Sequence, residues 1–262
     1  MIALPVLKLF LAPAFIALIT LAGRRWGPAL AGFLAGLPVA AGPVSFFVAL
    51  EQGPAFASSA AAASIASLGM TALFCLTYAR MARRRAWWLA ILASVAVFFA
   101  GAVLLHGLAL GLWPAAALVL VCMFVTAPRF PVEGTVPPGR LAPPRFDLAW
   151  RMAAVVCLTL AVTGMAEAIG PRWTGLFTTF PVVSTVLAVF SHRSGPHGPV
   201  VAARLLRALV LGLGSTVAFF LVIGLWLPTL GVAAGYSLAV LAALSVQGAT
   251  ALPTLLRRRA AA

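Results

Sequence analysis

Apolar runs of about twenty residues recur along this 262-residue chain, and each is long enough to cross the hydrocarbon core of a bilayer. Hydrophobic residues make up 63% of the chain and charged residues 8%, against about a quarter charged in a soluble domain. Because open sheets cannot satisfy their backbone in lipid, runs of this length predict helices. The sequence therefore predicts an all-α, polytopic transmembrane helix bundle.

Hydropathy and helix breakers together predict nine transmembrane spans in two membrane repeats. A proline-rich connector at 128–147, with six prolines, separates a first repeat at 1–127 from a second at 148–262. The first repeat has five spans and the second has four. The predicted spans are 3–22, 28–50, 55–79, 86–105, 108–126, 149–168, 172–191, 201–227 and 230–255.

Arginines give the predicted bundle an orientation, because basic residues concentrate in cytoplasmic loops. They follow the odd-numbered spans, and Arg172 is the exception. The N-terminus is therefore expected outside and the C-terminus in the cytoplasm. The net charge of +14 is assigned to these loops and to lipid phosphate, with no nucleic-acid partner. Arginine and alanine richness indicates a GC-rich genome, so we expect the inner membrane of a bacterium.

A weak internal repeat relates the two parts of the chain. A shift of 143 residues aligns a frame of glycines and prolines, and a shift of 145 continues the match into the following span. Span one then corresponds to span six, so the two copies cross the membrane in opposite directions. Inverted repeats of this kind are common in secondary transporters. The aligned pairs include Gly27 with Gly170, Pro28 with Pro171, Gly32 with Gly175 and Pro38 with Pro181, and, when a one-residue deletion is allowed, Gly53 with Gly195.

Helix breakers interrupt the second span and its aligned counterpart. Proline lacks the backbone N–H and frees a carbonyl one turn earlier, so these positions predict kinked or broken helices. In transporters such breaks line a pathway near the midplane. The alternative is a plain kink, with Gly32 and Gly36 forming a small-residue packing face. The candidate pathway residues are Gly36, Pro38, Gly42, Pro43, Gly175 and Pro181.

Two of the four acidic residues are candidates for proton or cation coupling. Glu51 ends the second span and Glu167 ends the sixth, both at the predicted outer boundary. A carboxylate that faces the bundle interior is costly without a partner and so marks a functional site. The alternative is an ordinary interfacial charge. Asp147 ends the proline-rich connector, and we expect it to be solvated.

A basic cluster follows the seventh span. Its members can contact an anionic substrate or lipid phosphate. The alternative is that they only orient the neighbouring helix as a positive cytoplasmic flank. The cluster consists of His192, Arg193, Arg204 and Arg207.

Motifs of known catalytic or metal chemistry are missing from the sequence. The chain has no H-E-x-x-H, no nucleophile elbow and no phosphate-binding glycine loop. Its three cysteines are dispersed among apolar runs, without metal-ligand spacing. We therefore expect no catalytic residues, no bound metal and no cofactor, and the protein is not expected to be an enzyme.

The stretch TGLFTTFPVVSTVLAVF, with the small-residue span after it, resembles the GlpM family of short bacterial inner-membrane proteins and related uncharacterised domains. The residues that carry the resemblance are Gly175, Leu176, Phe180, Pro181 and Gly214. The resemblance covers about 149–225, and the first half matches more loosely. It implies a duplicated version of such a protein, linked to glycerol phosphate or exopolysaccharide phenotypes, and it implies no particular chemistry.

Two functions follow from these observations. The first is a small secondary transporter or exporter, with its pathway between the inverted repeats and an unidentified small-molecule substrate. The second is a membrane scaffold or accessory protein for envelope lipid or exopolysaccharide assembly, with no continuous polar cavity. Membrane lipids are expected partners in both, and homo-oligomerisation is left open.

Overall fold

The computed structural model describes residues 3–39, 41–108, 110–133, 146–169 and 180–260. Side chains are described for these residues except 3–12, 106, 159, 161–169 and 251–260. The described part is helical and contains no strand, so the predicted all-α class is confirmed there.

Nine α-helices are present in the described part of the chain. A 3₁₀ turn, Ala127–Arg129, continues the sixth of them. The helices are α1 Ala3–Trp26, α2 Pro28–Ala35, α3 Ala41–Gln52, α4 Pro54–Ala82, α5 Trp87–Leu108, α6 Leu112–Thr126, α7 Asp147–Ile169, α8 Val182–His192 and α9 Gly198–Ala260.

Among the described residues, four helical segments are long and apolar enough to cross a membrane. Their composition agrees with the predicted membrane protein, whereas the count of nine spans is not confirmed. The predicted spans 201–227 and 230–255 fall on the two helical arms of α9, which meet at Gly231, where the backbone is not helical (φ 75°, ψ 173°). The four segments are Pro54–Ala82, Trp87–Leu105, Leu112–Arg129 and Gly198–Thr250.

Helices α4 and α9 form the centre of the bundle and share its most extensive contact. Small residues in α4 let α9 come close, since Ser58 Oγ donates a hydrogen bond to the Gly224 carbonyl at 2.9 Å. Helices α5 and α6 pack on α4 and expose apolar side chains outward, including Leu104 and Phe124. Helix α2 lies against α9, and α1 lies against α7. The break between α2 and α3 is thereby held against the centre of the bundle.

An ion-pair cluster joins α1 to α7 and corrects one expectation. Asp147 is buried, and its Oδ2 lies 2.9 Å from both Arg24 Nη2 and Arg151 Nε. The prediction that Asp147 is solvated is therefore wrong. Its charge is matched by an arginine 123 residues earlier, and a local reading of the connector cannot detect such a partner.

Candidate functional site

The chain leaves the helical conformation after α2 and resumes it at α3, and Pro38 lies in the gap. Pro38 has no N–H to donate, and it disfavours helical geometry in the residue before it. The gap is spanned by short turns, in which Leu37 N bonds the Leu34 carbonyl at 3.1 Å and Gly42 N bonds the Pro38 carbonyl at 2.8 Å. The predicted broken helix is confirmed at this position.

One side of this break presses directly on α9. A methyl group added to Gly32 would lie 1.9 Å from the Leu205 carbonyl oxygen, and one added to Gly36 would lie 2.6 Å from Gly212 Cα. The two backbones meet with no side chain between them. Gly32 and Gly36 therefore form the small-residue packing face of the alternative interpretation. Here the break and the packing face coexist.

Side chains of α9 bond the carbonyls at the end of α2. Thr216 Oγ1 donates to the Gly36 carbonyl at 2.6 Å, and Ser215 Oγ lies 3.2 Å from the same oxygen. Gln247 Nε2 donates to the Phe33 carbonyl at 2.6 Å. Hydroxyl and amide groups commonly satisfy a broken membrane helix in this way. The Phe33 and Gly36 carbonyls therefore accept hydrogen bonds from the protein's own side chains.

The other side of the break opens on a cavity of about 500 Å³. Pro38, Gly42 and Pro43 line it, so three of the predicted pathway residues lie together on one surface. The remaining wall comes from α1, from the rest of the α2–α3 break, from α3 and from both arms of α9. A volume of this size is within the range of small-molecule sites, about 300–1,000 Å³. The other lining residues are Phe15, Leu37, Val39, Phe46, Phe47, Phe219, Tyr236, Val240, Ala243 and Leu244.

Five of the thirteen lining residues of this cavity are aromatic, and none is charged. Tyr236 packs edge-to-face on Phe46, with ring centroids 5.1 Å apart, and lies 6.0 Å from the Phe219 ring. The Tyr236 hydroxyl is 2.8 Å from Ser45 Oγ. Among the lining residues, only Tyr236 has a side-chain hydrogen-bonding group. The cavity is thus an open, apolar surface that suits contact with an apolar molecule.

The second predicted break lies elsewhere. Pro181 immediately precedes α8, is buried, and is not among the residues that line the cavity. Its neighbour Phe180 stacks on Phe99 at 5.8 Å and packs edge-to-face on Phe74 and Phe98. Gly175 lies outside the described residues. The described cavity is therefore formed at the first break alone.

The acidic candidates do not line the cavity either. Glu51 is exposed near the C-terminal end of α3. Glu167 is in α7, and its side chain lies outside the described part of the structure. The position of Glu51 agrees with the interfacial alternative.

The members of the basic cluster make contacts with different parts of the protein. His192 Nδ1 is 3.2 Å from the Tyr78 hydroxyl, and burial lowers the pKa of His192. The Arg193 guanidinium lies over the Trp87 ring at 5.6 Å. Arg207 Nε donates to the Ala127 carbonyl at 3.0 Å, which caps the end of the sixth helix. Arg204 is half-buried on the same helix as Arg207. At least three of the four therefore have structural partners in neighbouring elements.

Sequence reasoning missed the far wall of the cavity and the buried Arg151. Phe219, Tyr236 and Leu244 read as ordinary span residues, and nothing local marks them as neighbours of Pro38. Arg151 lies within a predicted span and pairs with Asp147 four residues earlier, a spacing that a helical reading can detect.

Among the described residues, no group of three or more histidine, cysteine, aspartate or glutamate side chains is placed to bind a metal ion.

Comparison of the chain with protein-family models, with curated proteins and with solved structures found no match. The resemblance to the GlpM family therefore rests only on the residues quoted for it.

Proposed function

We propose that this membrane protein is a small secondary transporter or exporter that binds its solute in the cavity beside the α2–α3 break. The observation that carries the proposal is the position of Pro38, Gly42 and Pro43 on the wall of a cavity of about 500 Å³. Broken helices beside a cavity are the usual architecture of transporter sites.

The lining indicates the chemical class of the solute. Burial of apolar surface in such a cavity contributes about 25 cal/mol per Å². A charged solute would lose its hydration and find no opposite charge among the lining residues, at a large cost. The proposed solute is therefore predominantly apolar, and five aromatic side chains on the cavity wall are placed to contact it: Phe15, Phe46, Phe47, Phe219 and Tyr236.

The proposal includes the two inverted repeats in the bacterial inner membrane, with the N-terminus outside. One backbone feature supports the alignment of the halves. Gly53 (φ 91°) and Gly195 (φ 104°) are aligned, both adopt a conformation that favours glycine, and both precede a proline near the start of a central helix. Reporter fusions at residues 27 and 170 test the arrangement, because it requires them on opposite sides of the membrane.

Steady-state accumulation of radiolabelled indole in energised cells tests export. We expect cells that express the protein to retain about half as much indole as cells with empty vector, and collapse of the proton gradient to remove the difference. Gly42→Phe fills the cavity and should abolish the effect. Gly107→Phe is the matched control, because the space around Gly107 is open. Equal accumulation in all four strains would count against export.

Glu51 and Glu167 remain the proposed coupling residues. Glu51→Gln removes the titratable carboxylate from the proposed coupling position, so we expect loss of the gradient-dependent part of export. Glu167→Gln is tested in the same way. Unchanged gradient dependence in both variants would remove these carboxylates from the mechanism.

The scaffold function remains the alternative, and two observations favour it. The described cavity is lined by apolar residues, which agrees with a bundle that has no continuous polar pathway. The Phe33 and Gly36 carbonyls are bonded by α9 side chains rather than offered to a solute. In a scaffold the apolar cavity would hold lipid chains, and arginines at the helix ends would contact lipid phosphate. Equal accumulation of indole in cells with and without the protein would favour this function.

A further inference from the structure

The cavity beside the α2–α3 break has a buried floor and an exposed rim. Phe219 and Phe47 form part of the floor and are 1% and 5% exposed. Val240 and Leu244 line the same cavity on the arm of α9 beyond Gly231, and they are 47% and 53% exposed. Side chains that line a cavity and are also half exposed lie at its opening. The cavity therefore opens on the outer surface of the bundle along this arm of α9.

The surface around this opening is apolar on three helices. Leu18 is exposed in α1, three residues after the lining residue Phe15, so the two share one side of the helix. Val44 is exposed in α3, directly after the lining residue Pro43. Leu241 is exposed in α9 beside the rim. The rim thus continues into exposed apolar surface on α1, α3 and α9.

Charged residues lie far along the chain from this rim. The sequence has no charged residue within five positions of Leu18, Val44, Val240 or Leu244. Exposed apolar side chains without a neighbouring charge are the surface that a membrane helix presents to lipid. In water the same surface would cost about 25 cal/mol per Å². The composition of the rim therefore favours an opening on the hydrocarbon core of the bilayer.

Helix α1 indicates the depth of this opening. It ends with Arg24, Arg25 and Trp26, residue types that are typical of a membrane boundary. Phe15 precedes Arg24 by nine residues, which is a rise of about 14 Å along a helix. This distance is about half the thickness of the hydrocarbon core. The opening therefore lies near the midplane of the proposed bundle.

We propose that the solute is a small apolar aromatic molecule already dissolved in the bilayer, and that it enters the cavity sideways through this opening. This inference rests on the proposed function and specifies the class of its substrate. A solute that comes from lipid gains no hydrophobic free energy on binding, because acyl chains are as apolar as the cavity wall. Its affinity must come from close packing, for which the rings of Phe46, Phe47 and Tyr236 provide large flat surfaces. A rigid planar solute has few torsions to immobilise, so it binds better than a flexible acyl chain.

Spin labelling tests whether the opening faces lipid or water. Leu244→Cys carries the label in protein reconstituted in liposomes. Cys122 and Cys157 are replaced by alanine, whereas Cys75 is fully buried and stays. Oxygen reaches a label in the hydrocarbon core, whereas a polar nickel chelate is excluded from it. The measured quantity is the ratio of oxygen collisions to nickel collisions.

Two exposed positions calibrate this ratio. Phe124→Cys in α6 provides the lipid-facing reference, and Arg84→Cys in the turn after α4 provides the water-facing one. We expect the ratio at Leu244 to match that at Phe124 and to exceed that at Arg84 by about tenfold. A ratio at Leu244 that matches Arg84 would overturn entry from the lipid.

A photoreactive probe tests entry itself. Trifluoromethyl-phenyldiazirine is a small apolar aromatic molecule that dissolves in lipid, and illumination converts it to a carbene that inserts into nearby side chains. We expect it to label Phe47 and Phe219 on the buried floor. Gly42→Phe should remove this labelling and leave the labelling of Phe124 unchanged. Labelling of Phe124 in the wild type without labelling of the floor would overturn the inference.

These measurements separate the inference from the proposed function. A labelled floor together with unchanged indole accumulation in cells would keep the lateral opening and overturn the exporter. Export that Gly42→Phe abolishes, together with a water-facing label at Leu244, would keep the exporter and overturn lateral entry. The spin-label ratio remains decisive where Gly42→Phe fails to fold.

Discussion

The two sides of the α2–α3 break differ sharply in what they contact. On one side Gly32 and Gly36 lie against the backbone of α9, and the Gly36 carbonyl accepts hydrogen bonds from α9 hydroxyls. On the other side Pro38 and Gly42 face an open, aromatic-lined cavity. One interruption can therefore attach a helix to its neighbour on one side and leave room for a ligand on the other.

Gly32→Ala should be the most damaging substitution on the packed side. Its methyl group would lie 1.9 Å from the Leu205 carbonyl oxygen, so the two helices must separate. We expect a loss of about 3 kcal/mol in the free energy of unfolding. Gly248→Ala, at a position with open space, is the control and should melt like the wild type. Equal melting of both variants would show that α2 does not press on α9.

Thr216→Val tests the hydrogen bond on the same side. Valine keeps the shape of the side chain but removes the hydroxyl that donates to the Gly36 carbonyl. We expect a loss of about 1–2 kcal/mol in unfolding free energy, measured by thermal or denaturant unfolding in detergent. Thr229→Val is the control, because it removes an exposed hydroxyl that donates to the Trp226 carbonyl. We expect it to lower the unfolding free energy by less than about 0.5 kcal/mol.

Tyr236→Phe tests the cavity side, where the phenol bonds Ser45. We expect a loss of about 1 kcal/mol in unfolding free energy, because one hydrogen bond is lost while the ring packing stays. A double-mutant cycle with Ser45→Ala isolates the pair. Fully additive losses would mean that the two hydroxyls do not interact in the folded protein.

Gly42→Ala should have the smallest effect. Its methyl group would meet Phe219 at 3.5 Å and Pro38 at 3.7 Å, which are ordinary contacts. We expect a change of less than about 0.5 kcal/mol in unfolding free energy. A loss as large as that of Gly32→Ala would erase the difference between the two sides of the break.

Sequence reasoning succeeded where the cause is local. Proline removes a backbone donor wherever it occurs, so the interruption at Pro38 follows from the residue itself. The four-residue spacing of Gly32 and Gly36 likewise indicated the small-residue packing face that was the alternative interpretation. Both features could be predicted without knowledge of any distant partner.

It failed where the partner is far along the chain. Phe219 and Tyr236 complete a cavity that begins at Phe15, and no pattern in either segment links them. Asp147 was expected to be solvated, but it is buried in an ion pair with Arg24, which lies 123 residues earlier in the chain. The count of nine spans depended on hydropathy and is not confirmed, although its division between 227 and 230 lies next to the non-helical Gly231 of α9.

The bend at Gly231 has a consequence for biogenesis. It turns the last arm of α9 so that Tyr236 lines the cavity and Gln247 reaches α2. Phe33 and the cavity wall therefore stay uncovered in the helices that are made early in translation. They are covered only when the final segment has left the ribosome. Premature termination before residue 231 would leave a nascent chain that is inserted but has an incomplete site.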